Sequence, residues 1–277
     1  MSPKSRLYTL VKAWKNKPFQ EVRDACSESW LSLGPEEMAE QESWSKRQAI
    51  SHEPIFNLKG TKLTGSLYRP LLEAKDLQLL RLFMEGLDTI AFWHRSGRSI
   101  SGVLPIPFHA LSSKNHVEAL IDLILNSRLP VGSLILGLQH ASVAKLTPDS
   151  EEGLSRFRRL GVGIHLLDFT ATSEQINLIE KFRLEGIHIA LPHFRNQDPP
   201  TRLISQIQSA GTKIYASHLA LVNDLENAKR LQADYCYGGL MMSPVSRHQI
   251  FHINDSRIAK AIFSLHSHNN LNQNGDK

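Results

Sequence analysis

From residue 53 onward the chain repeats one pattern: a short run rich in β-branched and aromatic residues, then a stretch with helical spacing, then another such run. Eight runs of this kind can be marked, EPIFNL, KLTGSLYR, SISGVLPIPF, GSLILGLQH, GVGIHLLDF, GIHIALPHF, TKIYASHLA and YCYGGLMM. Helix-like pieces such as NHVEALIDLILNSRL, EEGLSRFRRL, SEQINLIEKFRLE, PTRLISQIQSAG and VNDLENAKRLQ stand between them. A parallel sheet with crossover helices absorbs such alternation, because each crossover covers one face of the sheet. The first two runs are joined only by Lys59, Gly60 and Thr61. A parallel crossover needs about a dozen residues or more, so these two runs must form a hairpin. The expected fold is therefore α/β, a (β/α)8 barrel whose first strand runs antiparallel to the rest.

Residues 1–50 have a different texture and read as a helical N-terminal extension. SRLYTLVKAW and EEMAEQESWSKRQAI carry apolar positions about a turn apart, and Pro35 with Glu36 and Glu37 suits a helix start. Leu7, Leu10, Val11 and Trp14 fall at turn spacing beside basic residues, a face suited to packing on the barrel or gripping a partner helix. The expected division is extension 1–50, barrel domain 51–265 and a frayed polar tail 266–277. With 277 residues, 41% of them hydrophobic and 21% charged, the chain can bury one large core without staples. It has no apolar run near the roughly 20 residues of a membrane span, and Lys12, Trp14, Lys15 and Lys17 interrupt the N-terminus where a signal peptide would be apolar. A cytoplasmic location is expected. Cys26 and Cys236 fit neither a disulfide framework nor a metal motif. The net charge of +5 is dispersed apart from the basic stretch Lys4–Lys17, and no recognition-helix motif supports nucleic-acid binding.

HEPIFNLKGTKLTG resembles the opening hairpin of the EAL domain, the bacterial cyclic dimeric GMP (c-di-GMP) phosphodiesterase family, whose usual form is Q-P-I-x-D/N-L before a glycine-terminated second strand. LQADYCYGGLMMSPVS is similar to that family's closing strand, where a Gln-Gly pair precedes an apolar stretch and a proline. With the order of the intervening strands, the resemblance spans approximately residues 51–248. It implies a barrel-mouth site in which oxygen ligands from several strands hold divalent ions. Phosphodiester hydrolysis needs an activated water and a neutralised phosphate, and hard cations held by oxygens supply both.

Carried across residue by residue, the resemblance implies that the ligand set is missing. Leu67 stands at the namesake glutamate, Pro105, Ile106 and Pro107 around the third-strand asparagine, and Gly137 at the fourth-strand glutamate. The acidic pair of the fifth strand becomes Leu167 and Asp168. Ala190 replaces the lysine with Pro192 at the neighbouring aspartate, Ser217 the seventh-strand glutamate and Tyr237 the closing glutamine. Asp168 then reads as a remnant that caps the helix starting near Thr172 or bonds a strand end. Leu67, Gly137, Leu167 and Ala190 are expected to make the mouth apolar, which disfavours a dianionic ligand. Arg69 approximates the family's nucleotide-binding arginine, with a salt bridge as its structural alternative. His165 and His188 are expected as satisfied core or inter-strand histidines.

The expectation is a catalytically inactive EAL-like regulatory protein, without a cofactor, that acts through a protein partner in bacterial signalling. Arg69 and Asp168 are its candidate ligand-binding residues. One alternative is a c-di-GMP sensor or weak c-di-GMP phosphodiesterase. A second is a zinc-dependent hydrolase built from the strand-end residues His140, Asp168, His193 and His218, since imidazoles suit zinc better than an oxygen cage does.

Overall fold

The structure, a computed structural model, describes residues 51–58, 62–69, 76–139, 147–194, 201–253 and 255; for 76–78, 193, 194 and 201 it describes the backbone alone. The extension 1–50 and the tail 266–277 lie outside the described residues. The strands are β1 (Ser51–Asn57), β2 (Leu63–Arg69), β3 (Ser101–Pro107), β4 (Leu134–Gln139), β5 (Gly163–Leu166), β6 (Gly186–Ala190), β7 (Lys213–Ser217) and β8 (Tyr235–Cys236). They close in sequence order into one barrel. β1 runs antiparallel to both of its neighbours, β2 and β8, and every other pairing is parallel. The hairpin and the barrel expected from the alternating runs are both present.

Among the described residues the helices are α1 (Asp76–Arg95), α2 (Lys114–Ser127), α3 (Pro148–Arg159), α4 (Ser173–Phe182), α5 (Thr201–Ser209), α6 (Val222–Arg230) and α7 (Arg247–Phe251). Their starts follow local chemistry. Thr147 caps α3 with Pro148 in the first turn, and Ser150 returns the bond in a capping box. Thr172 caps α4 by accepting from Gln175 N–H, and Ser246 caps α7 in the same way from Gln249.

Strand parity divides the core into two compartments. One set of alternate residues, including Phe56, Leu104, Leu136, Ile164, Ile187 and Ile214, packs outward under the helices. The other set fills the barrel interior, where Ile55, Leu67, Val103, Leu167, Tyr215 and Tyr237 touch one another. A (β/α)8 barrel is thus a packed core rather than a pore. β3 tolerates two prolines for a related reason. Gly102 N–H points to β4, bonding Ser133 O at 2.8 Å, so the odd-numbered residues face β2. The β2 ladder ends at Val103, and Pro105 and Pro107 withhold their missing N–H groups where no acceptor is paired.

Several strands stop earlier than their apolar runs. β5 ends at Leu166 because Asp168 takes the left-handed conformation at φ 54°, and β6 gives way to a 3-10 turn over Leu191–Phe194. β8 is short because the chain turns at Gly238, φ 145°, where a Cβ would lie 2.2 Å from Leu219 N. Beyond β8 the chain returns to the barrel wall. His52 and Val245 exchange backbone hydrogen bonds at 2.8 and 2.9 Å, Trp93 Nε1 donates to Arg247 O at 2.9 Å, and Arg247 pairs with Asp88 at 3.3 Å. No helix among the described residues is long and apolar enough to cross a membrane.

Candidate functional site

The parallel strands β2–β8 all end at one rim, and antiparallel β1 begins there, so Ser51 sits opposite Arg69. This rim is the face where barrels of this class carry their sites. The inward positions below it form two unlike halves.

One half, from β1–β4 with Leu167 just after β5, is apolar apart from Glu53 and the rim residue Arg69. Leu67 lies across from Glu53, and below it Ile55, Val103 and Leu167 fill the interior. Gly137 on β4 leaves room for this packing: a Cβ there would lie 2.8 Å from Leu167 Cδ1 and 3.1 Å from Val103 Cγ1. Leu67 thus contributes hydrocarbon, and Leu167 and Val103 fill the space at Gly137.

The other half, on β5–β8 with Arg69 of β2 at its head, is polar and connected. Arg69 Nη2 lies 3.2 Å from His218 Nε2, and His218 Nδ1 lies 3.1 Å from Ser217 Oγ. Ser217 also bonds the Tyr237 hydroxyl, which lies 2.7 Å from His188 Nδ1, and His188 Nε2 lies 3.1 Å from His165 Nδ1. A guanidinium can only donate, so it assigns His218 Nε2 as an acceptor and places the His218 proton on Nδ1, facing Ser217. Passed on in the same sense, Ser217 donates to Tyr237, Tyr237 to His188 and His188 to His165. Stacking tightens the lower end: the His188 and Tyr215 rings are 4.5 Å apart and nearly parallel, and Tyr215 and Tyr235 are 4.6 Å apart.

Burial sets the protonation states of this chain of groups. It pulls His165 down to about 3, and it pulls His188 well below the ordinary imidazole range with the fields of His165 and His218 adding to it. Both rings are neutral at physiological pH. The Tyr237 phenol is pushed up by burial first and by the negative charge of Glu53 next, so it stays protonated as the donor the chain requires. His165 and His188 are the satisfied interior histidines that their mid-strand positions imply.

The candidate residues meet different fates. Arg69 is at the rim and its Nε lies 2.5 Å from Glu53 Oε2, so the salt-bridge alternative describes its contact. Asp168 does not cap α4; Thr172 does, because its hydroxyl, not the exposed carboxylate four residues earlier, meets Gln175 N–H. What Asp168 gives is its backbone carbonyl, which accepts from Gln175 Nε2 at 3.3 Å. His140 lies outside the described residues, and only the backbone of His193 is described. His218 is exposed, left-handed at φ 59°, and bonded to Arg69. Among the described residues no three His, Cys, Asp or Glu side chains assemble into a metal-holding group.

The sequence reading expected an apolar mouth and missed Glu53, which is buried and inward-facing. Its signal was available: in an antiparallel hairpin, residues of one parity share a face, and Glu53 has the parity of Ile55. Burial raises its carboxyl above the ordinary value, and the Arg69 charge pulls it back down.

Neither a family model nor a curated protein matches the chain by sequence. Solved structures match by shape. The EAL domain of Mycobacterium smegmatis DcpA superposes with a TM-score of 0.63 at 15% identity, covering 76% of this chain and 96% of that one. An EAL domain protein from Listeria monocytogenes EGD-e gives 0.60 at 13% identity, covering 73% and 90%. The Bacillus subtilis YkuI protein, with an EAL domain and in complex with substrate c-di-GMP and calcium, gives 0.63 at 13% identity, covering 81% and 62%. The barrel, with its antiparallel first strand, is an EAL-type barrel.

Proposed function

We propose that this chain is a catalytically silent EAL-type protein that works through a protein partner in a c-di-GMP-related signalling system. One observation carries the reading. Leu67 and Leu167 pack with Val103 inside the barrel, with Gly137 making room for them, where hydrolysis by the implied mechanism needs hard oxygen donors around a pair of cations. The buried carboxylate at the rim, Glu53, is already engaged by Arg69. YkuI, similar in fold, is bound to c-di-GMP and calcium, and this supplies the ligand class to test. Purified protein incubated with c-di-GMP and Mg²⁺ or Mn²⁺ is expected to give no linear dinucleotide above background, and turnover abolished by chelation overturns the proposal. Affinity capture from the native host is expected to return a stoichiometric protein partner.

A second reading, a c-di-GMP sensor, is favoured by the half-exposed guanidinium of Arg69 at the rim. Calorimetry separates the two readings, since a sensor shows saturable binding that Arg69→Ala removes.

A further inference from the structure

We infer that Glu53 is an internal counter-anion that holds Arg69 and so sets the selectivity of the barrel mouth against dianionic phosphodiesters. The inference deepens the proposed reading of the mouth as a non-hydrolytic site and rests on it. The two partners are unequally placed. The Glu53 side chain is 5% exposed and the Arg69 side chain 38%. The carboxylate is thus fixed inside the barrel, while the guanidinium alone reaches the face where a ligand arrives.

The geometry of the guanidinium matters as much as its charge. Nε lies 2.5 Å from Glu53 Oε2 in an ion pair without hydrogen-bond alignment and Nη2 lies 3.2 Å from His218 Nε2, so a carboxylate and an imidazole already flank the edge that offers a phosphate two parallel bonds. A phosphodiester arriving at Arg69 therefore displaces a carboxylate or shares a cation with it, and like charges held at one cation repel. Displacement is opposed too. Glu53 Oε2 is buried and, among the described residues, no aligned hydrogen bond reaches it, so the charge of Arg69 beside it is what compensates it. Removing Arg69 to a ligand would strand that carboxylate in a medium that cannot solvate it. The mouth thus carries an arginine whose charge is compensated from within.

The test is Glu53→Gln, which keeps the shape of the side chain and removes its charge. c-di-GMP titrated into the full chain by calorimetry without divalent metal is expected to bind the variant at least tenfold more tightly than the unaltered protein. The double variant Glu53→Gln, Arg69→Ala is expected to lose that gain. If Glu53→Gln unfolds, Glu53→Met, of similar length and uncharged, takes its place under the same expectation. A folded variant that binds no more tightly than the unaltered protein overturns the inference. So does a gain that persists without Arg69. The reading of a silent mouth fails differently, through turnover of c-di-GMP by the unaltered protein in metal, whereas the inference is decided by the affinity ratio between the two proteins.

Discussion

The Tyr237 hydroxyl lies 2.7 Å from His188 Nδ1, joining β8 to β6 across the intervening β7 inside the barrel. β8 has only two strand residues, and main-chain bonds to β7 flank them, Asp234 N–H to Ile214 O at 2.9 Å and Tyr237 N–H to Ala216 O at 3.0 Å. The side-chain bond, with Ser217 on its other side, supplements those bonds from within.

Tyr237→Phe is accordingly expected to keep the fold and lower its stability by about 1–3 kcal/mol, the cost of leaving buried polar partners unsatisfied. Urea unfolding measures it. Combined with His188→Phe, the pair is expected to be non-additive by at least about 0.5 kcal/mol, because the two groups share one bond. Strict additivity would show that the contact carries no energy.

Stability is expected to fall steeply in mild acid. Burial holds His52 down to about 4 and His165 down to about 3, and it depresses His188 as well. The unfolded chain takes up these protons near pH 6.5 and the folded chain does not, so each contribution is whole above that pH. It is lost as pH drops toward the folded value. By pH 5 His52 and His165 each cost about 2 kcal/mol, and His188 adds to the loss in the same direction. Thermal unfolding is expected to show a much lower Tm at pH 5 than at pH 7.5. His52→Gln, which removes one such group between the Tyr68 and Trp93 rings, is expected to flatten that dependence.

Gly137→Ala places a methyl group 2.8 Å from Leu167 Cδ1 and 3.1 Å from Val103 Cγ1. Overpacking of this kind costs about 1–3 kcal/mol. Leu167→Val in the same chain shortens the colliding side chain and is expected to recover part of that loss. If Gly137→Ala unfolds like the unaltered protein, the inner half of the barrel is looser than its contacts imply.

The barrel was legible because each strand is short, apolar and bounded by helical spacing, and the Lys59–Thr61 link forces a hairpin. Strand ends were less so: the runs GVGIHLLDF and GIHIALPHF stay apolar past Leu166 and Ala190, while the backbone turns at Asp168 and coils at Leu191. Hydrophobicity marks burial, which continues beyond the ladder in Leu167, Phe169 and Leu191. At the mouth the apolar character of Leu67 and Leu167 could be read directly, and both are buried in the barrel interior. The chain of groups from Arg69 to His165 could not be read in this way. It depends on β6, β7 and β8 closing against β1, and on the left-handed turn that brings His218 beside Arg69.

Asp168 offers a direct test of whether a strand-end carboxylate has a task of its own. Its φ of 54° is one that glycine and asparagine adopt readily and β-branched residues do not. If only the backbone matters there, Asp168→Gly and Asp168→Asn are expected to change stability by less than about 1 kcal/mol. Asp168→Val is expected to lose about 1–2 kcal/mol through the left-handed conformation alone. The carbonyl bond to Gln175 Nε2 survives each substitution because it is a main-chain acceptor, so Gln175→Ala separates that bond from the carboxylate. A carboxylate that binds a cation or ligand gives the opposite ranking: Asp168→Asn and Asp168→Gly then abolish binding while the stability series is unchanged. Measured side by side by urea unfolding and by calorimetry with c-di-GMP and Mn²⁺, the four variants decide between a turn residue and a surviving ligand.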